Sequence, residues 1–243
     1  MMDKWLLKLD KRSLAIVTLV GQLAEDLGFK AYLVGGPVRD LMLGHKNIDL
    51  DITTEGSGIR LAEAFAKVNK TVKIIPYQAF KTATVELNQG QMVDFATARK
   101  ESYVRGGAFP QVEPSNLRND LFRRDFTINA MAISICPSSF GKIFDPFKGR
   151  DDLKYKRVRV LHANSFIDDP TRILRAARFK TRLGFKVERQ TLGQLNEAIR
   201  TGALNTIKPQ RYKKEFDKIL KEKRSKEAIK CLKQWEAYRA PQS

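Results

Sequence analysis

Apolar and polar positions alternate with one period in the first half of the chain and another in the second. Up to about residue 145, short β-like runs recur: AYLVGG (31–36), NIDLDIT (47–53), TVKIIPY (71–77), TATVEL (82–87), QMVDFAT (91–97) and MAISIC (131–136). Two helical stretches fall among them. LAIVTLVGQLAEDLG has its apolar residues at helical spacing and closes on Gly28, and GSGIRLAEAFAKV repeats that spacing between two strands. After DPFKGRDDL the period-two signal fades, and DPTRILRAARFKTRLG, TLGQLNEAIRTG and PQRYKKEFDKILKEKRSKEAIKCLKQW read as helices. The pattern leaves α/β and α+β open for a first domain, 1–145, with a helix-backed sheet, and predicts an all-helical second domain, 146–243; the expectation is α+β with a mixed sheet.

Charge narrows the partner. The 243 residues carry 45 Lys and Arg against 27 Asp and Glu, a formal +18. Such a surplus favours a polyanion, because each neutralised phosphate releases condensed counterions. Residues 208–233 hold 11 basic and 4 acidic side chains, 11 − 4 = +7, so the helical half is expected to touch RNA. No run approaches the ~18 apolar residues of a spanning helix, which predicts a soluble protein. The basic opening MMDKW runs on to Glu25 and Asp26 without a small-residue cleavage site, so an amphipathic helix is expected there rather than a signal peptide. Cys136 and Cys231 alone support neither a disulfide framework nor a CxxC metal site, and a cytoplasmic compartment follows. With only His45 and His162, a catalytic metal has to be held by carboxylates.

The densest chemistry lies in LVGGPVRDLMLGHKNIDLDITTEG, residues 33–56. Gly35 and Gly36 make a tight turn after a strand, and Pro37 suits the first position of a helix. The free amides of that turn, with Arg39 close by, suit a triphosphate. Asp49 and Asp51 stand at i and i+2, which on a strand points both carboxylates to one face, an arrangement that hard cations such as Mg²⁺ relieve. Asp94 in QMVDFATAR is an acid inside a later apolar strand and is the candidate third ligand. Asp49 to Thr53 also fits the DxDxT nucleophile motif of the haloacid-dehalogenase-like phosphatases. That fold needs later parallel βα units, whereas the second half here reads as helical.

Five motifs in order resemble those of the class II tRNA nucleotidyltransferases and bacterial poly(A) polymerases, over about residues 30–222. LVGGPVRDLMLG with IDLDI is similar to the first, DLFRRDFTINAMAI (120–133) to the second, IFDPFKGRDDL to the third, DDPTRILRAARF (168–179) to the fourth and QRYKKEFDKIL to the fifth. The resemblance implies a nucleotidyltransferase palm followed by a helical neck, adding C and/or A to the 3′ end of tRNA from CTP and ATP and releasing pyrophosphate. By it, Asp49 and Asp51 bind Mg²⁺, and Gly36 and Arg39 contact the triphosphate; with Asp94 as the candidate third acid of a two-Mg²⁺ catalytic site and Gly35 in the glycine turn, the expected site is complete. Arg124, Asp169, Arg172, Arg175 and Arg178 then surround the nucleotide. Arg172, Arg175 and Arg178 recur every three residues, so a helix would align them in one slanting basic stripe. Asp125 and Asn129 lie in the second motif and read equally as capping residues. RKESYVRGGAFPQVEPSNLRND resembles the family's flexible loop and leans toward addition of A. Family members usually continue into helical body and tail domains that grip tRNA, so with a basic neck alone RNA binding is expected to be mainly electrostatic. An RNA-binding relative without activity, and a poly(A) polymerase acting on other RNA, are the alternatives.

Overall fold

The computed structural model describes residues 4–45, 48–69 and 73–239. Asn47, Thr71 and Val72, which the pattern places in strands, lie outside the described residues. Two compact units emerge: one gathers the described residues up to 100 with 112–124 and 128–149, the other 101–111, 125–127 and 150 onward. The chain therefore does not pass from one to the other at a single point.

The first unit holds β1 (Ala31–Val34), β2 (Leu50–Thr54), β3 (Lys73–Tyr77), β4 (Thr82–Glu86) and β5 (Met92–Thr97); the short strands β6 (Arg99–Ser102) and β7 (Gln111–Pro114) follow, each with residues in both units. Strands β8 (Ala132–Ser134) and β9 (Ile143–Phe144) follow, and the main sheet runs β3-β4-β5-β2-β1-β8-β9. Only β2 and β5 pair in parallel; the other neighbours are antiparallel. Alternation decides which face is covered. Val93 and Phe95 are buried while Asp94 between them is exposed. Helices α1 (Lys11–Asp26) and α3 (Gly58–Val68) cover the apolar face, with Phe65 of α3 against Phe95, ring centroids 5.8 Å apart. Asp10 caps α1 by accepting the Arg12 and Ser13 amides, and Gly28, at φ 72°, ends it. Helix α2 (Gly36–Met42) follows the glycine turn, and α4 (Leu117–Phe122) starts on an Asn116 cap.

The second unit is mainly helical and contains one short parallel pair, Arg157–Val158 (β10) with Lys186–Val187 (β11). After α5 (Gly149–Lys154) come α6 (Ser165–Asp168), α7 (Thr171–Leu183), α8 (Arg189–Arg200), α9 (Pro209–Leu220) and α10 (Ser225–Gln234). The pattern reads the last two as one helix, but KEKRSKE (221–227) offers no apolar side chain to bury, and the chain turns there instead. Helix α9 buries Tyr212, Phe216 and Ile219, and α10 buries Ala228, Cys231 and Leu232. Residues 125–127 belong to this unit for a visible reason. Phe126 is fully buried edge-on against Phe179 at 5.8 Å, and Thr127 donates from Oγ1 to Asp152 at 2.6 Å. The second motif is thus split: Arg124 sits in one unit and Asp125 in the other.

Candidate active site

The open face of the sheet carries the acids. Parallel pairing of β2 and β5 sets Asp51 directly beside Asp94, so two strands far apart in sequence place two carboxylates on one rung. Thr84 on β4, next on the same rung, donates from Oγ1 to Asp94 Oδ1 at 2.5 Å. Asp49 lies just ahead of β2 and is exposed, so it approaches from the strand's entrance rather than from the same rung. Among the described residues, no three carboxylate, imidazole or thiol groups converge as a metal cluster. Burial pushes the Asp51 carboxyl up to about 6; Arg124 pulls it back, and Asp94 and Asp49 push it further up. A carboxylate held this uncomfortably, beside a second one, fits a divalent cation. Mg²⁺ typically takes one or two protein carboxylates and completes its shell with water and substrate phosphates, so the pair suffices without a three-acid cage.

A groove of about 260 Å³ runs over this rung, lined by Asp51, Thr84, Asp94 and Tyr77 with Arg123 and Arg124 as its basic wall. Both arginines are held by Asp120, an acid with no exposed surface. Its Oδ1 accepts from Arg123 Nε at 2.9 Å and its Oδ2 from Arg124 Nη2 at 2.9 Å. Burial alone would raise the Asp120 carboxyl, but Arg124 and Arg123 outweigh it and hold the group below the ordinary carboxylate range. Among the described residues, the buried Arg124 Nε has no hydrogen-bond partner. An unsatisfied guanidinium N–H at the wall of an acid-lined groove is suited to a phosphate oxygen. The sequence reading missed Asp120, although its spacing of i, i+3 and i, i+4 to the two arginines was there to be read.

Gly35 shapes the same wall. Its backbone, at φ 75° and ψ −129°, lies in a region open to glycine, and a Cβ there would fall 2.4 Å from Arg124 Nη1. Gly35→Ala is therefore expected to cost at least about 2 kcal/mol and to displace Arg124, read as a lower urea midpoint together with weaker nucleotide binding. Arg39, the expected triphosphate contact, already has protein partners. It is 3% exposed, with Nε and Nη2 on the Asp40 carboxylate at 2.8 Å each and Nη1 on Asn129 Oδ1 at 2.5 Å. The guanidinium braces the helix after the glycine turn because the very next residue offers it a bidentate carboxylate. Asn129 thereby braces Arg39.

In the second unit, Asp169 lies in the turn before α7. Its Oδ1 accepts from the Thr171 amide at 3.1 Å, the Thr171 hydroxyl at 2.6 Å and Arg211 Nη2 at 2.9 Å, leaving Oδ2 free of hydrogen bonds among the described residues. Arg172, buried in the first turn of α7, donates from Nη1 to Ser165 Oγ at 2.6 Å. Both charges bear on Tyr103, whose hydroxyl burial and Glu101 push above its usual range. Arg211 also donates to the Gly107 carbonyl at 2.9 Å, which ties residues 101–111 into this unit. The three arginines of α7 do not form a free basic stripe. Arg175 is paired with Asp125 at 2.5 Å and Arg178 with Glu222 at 3.3 Å, because α7 turns them toward acids of its own unit.

Residues 31–159 match the profile described as the poly A polymerase head domain. An A-adding tRNA nucleotidyltransferase of Aquifex aeolicus is 45% identical over 206 residues, covering 85% of this chain and 25% of that protein. Another, of Halalkalibacterium halodurans, is 40% identical, covering 84% of this chain and 48% of its own length. The apo form II structure of a CCA-adding enzyme superposes with a TM-score of 0.91 at 42% identity, covering 96% of this chain and 55% of that one. The chain thus spans about a quarter to a half of the length of these curated relatives. The matched stretch takes in the acid rung, the glycine turn and the Asp120 cluster, and the chain belongs to the poly A polymerase head-domain family.

Proposed function

We propose that this chain is the catalytic part of a template-independent RNA nucleotidyltransferase that transfers C and/or A from CTP and ATP to the 3′ end of tRNA, releasing pyrophosphate. The observation that carries the reading is the Asp51–Asp94 rung beside Arg124, two facing carboxylates next to an arginine whose buried Nε has no hydrogen-bond partner among the described residues. The names of the relatives, adding A or CCA to tRNA, support the choice of substrates. Asp51 and Asp94, with Asp49 at the entrance, would hold Mg²⁺. A divalent cation held there supplies charge neutralisation for the triphosphate and lowers the pKa of the attacking 3′-hydroxyl. Arg124, oriented by Asp120, binds a phosphate oxygen, and the glycine turn braced by Arg39 lets the backbone come close. Residues 1–145 act as the head and 146–243 as the neck. No helix among the described residues is long and apolar enough to cross a membrane, and the buried free thiols of Cys136 and Cys231 suit the cytoplasm.

Base choice falls to Asp169 and Arg172. An ionised Asp only accepts and an Arg only donates, so the pair suits an exocyclic amino group beside a ring nitrogen, as in cytosine and adenine. The free Oδ2 of Asp169 supports this part. Because its Oδ1 also caps Thr171, Asp169→Asn is a cleaner variant than Ala. It is expected to narrow discrimination against UTP by roughly five- to a hundredfold, since a bidentate mismatch costs ~1–3 kcal/mol. Rates with CTP and UTP compared side by side measure it.

Extension of tRNA lacking its 3′ end, with each labelled nucleoside triphosphate supplied separately, tests the function. CMP or AMP should be added and UMP and GMP refused. Equal extension of unrelated RNA with AMP alone would favour a poly(A) polymerase, and RNA binding without any extension would leave a non-catalytic relative.

A further inference from the structure

Among the described residues, several large apolar side chains are exposed, and one of them lines the groove. Tyr77, at the end of edge strand β3, is 47% exposed. Its position relative to the acids follows from register. Ile75, Thr84, Asp94 and Asp51 form one rung across β3, β4, β5 and β2; Tyr77, Thr82, Ala96 and Thr53 form another, two residues along each strand. Tyr77 and Asp94 are two strands and two residues apart, about 12 Å between backbones for ordinary strand spacing and rise, and both side chains stand on the open face. Between them lie only the short side chains of Thr82, Thr84 and Ala96, so the floor stays low enough for a flat ring to lie against the tyrosine. Arg123 and Arg124 also line the groove and make it basic.

We infer that Tyr77 is a stacking platform for the base of the acceptor RNA's 3′-terminal nucleotide. The inference rests on the nucleotidyl-transfer reading, which puts the attacking 3′-hydroxyl at the acid rung. A nucleotide whose hydroxyl is there carries its base along the groove, and the aromatic at the groove's end meets it. A π-face accepts any base, so the contact serves an end whose identity changes as residues are added. The edge position suits the task. Pro76 interrupts the outer hydrogen-bonding edge of β3, and among the described residues no further strand covers Tyr77. Phe80, three residues on, is 52% exposed but does not line the groove, which makes it the natural control.

The test uses the 243-residue chain and a tRNA acceptor ending in 2-aminopurine, whose emission is quenched by stacking, with no triphosphate present. The parent, Tyr77→Phe and Phe80→Ala should quench it on binding; Tyr77→Ala should not, and should bind the RNA about tenfold more weakly, as expected for one lost base–aromatic stack. A 3′-terminal abasic RNA should bind the parent and Tyr77→Ala alike. Undiminished quenching by Tyr77→Ala, equal loss in Phe80→Ala, or no quenching by the parent would overturn the inference. Transfer assays on the parent report separately on the activity. Quenching without nucleotide addition would keep the stacking site and remove the catalytic reading.

Discussion

Asp51→Asn is expected to abolish nucleotide addition, by at least about a thousandfold, while raising the melting temperature in magnesium-free buffer above pH 6. Both effects have one cause. Burial and two neighbouring acids raise the Asp51 carboxyl from 3.8 to about 6, so the folded protein carries this charge at a cost that the unfolded chain does not bear. A group whose folded pKa is raised binds more protons when folded, so its penalty is absent below about pH 4, grows between 4 and 6 and is constant above. The asparagine variant should therefore gain about 1–3 kcal/mol at neutral pH, toward the lower figure because the side chain keeps some solvent, and nothing at pH 3.5. Urea unfolding of both proteins at the two pH values, beside single-turnover addition, measures this. A variant less stable than the parent at pH 8 without magnesium would show that Asp51 is a structural acid.

Asp120→Asn should act in the opposite direction. Asp120 is fully buried and neutralises two arginines at once. Removing its charge leaves both guanidiniums short of a partner, and breaking a buried pair typically costs about 3–5 kcal/mol, here about 3 because the arginines are partly exposed. Arg124 would also lose its orientation in the groove, so nucleotide affinity should fall together with stability. The pH dependence mirrors that of Asp51. A folded pKa held below 3.8 contributes stability that is present above about pH 4 and lost as pH falls through the lower folded value. Parent and variant should converge only in strong acid, which urea midpoints between pH 7 and pH 2.5 would follow.

What could be read from the sequence depended on how local the cause was. The glycine turn, the strand around Asp51, the strand around Asp94 and the helix over Thr171–Leu183 all follow from short-range period and turn chemistry, and all form. The pairing of Asp51 with Asp94 does not, since it arises when β5 lies parallel beside β2 with two strands intervening in sequence. Arg39 illustrates the other limit. Its type and place suited a triphosphate, but Asp40 and Asn129 claim its guanidinium, and Asn129 comes from a distant segment. Arg175 and Arg178 repeat the lesson on α7, where spacing fixed their helix face but not the acids of Asp125 and Glu222 opposite them. The assignment of Phe126 to the second unit, in the middle of a motif read as continuous, depends on Phe179 and Asp152, which no local pattern reveals.

The most direct measurement is the stoichiometry of pyrophosphate release on tRNA lacking its 3′ end, with Mg²⁺, CTP and ATP. The parent chain should release one pyrophosphate for each nucleotide joined to the RNA, and Asp51→Asn should release none while binding the same RNA. Addition by Asp51→Asn at the parent's rate, or an RNA-bound parent that releases no pyrophosphate with any of the four triphosphates, would contradict the assignment of the Asp51–Asp94 rung as a nucleotidyl-transfer site.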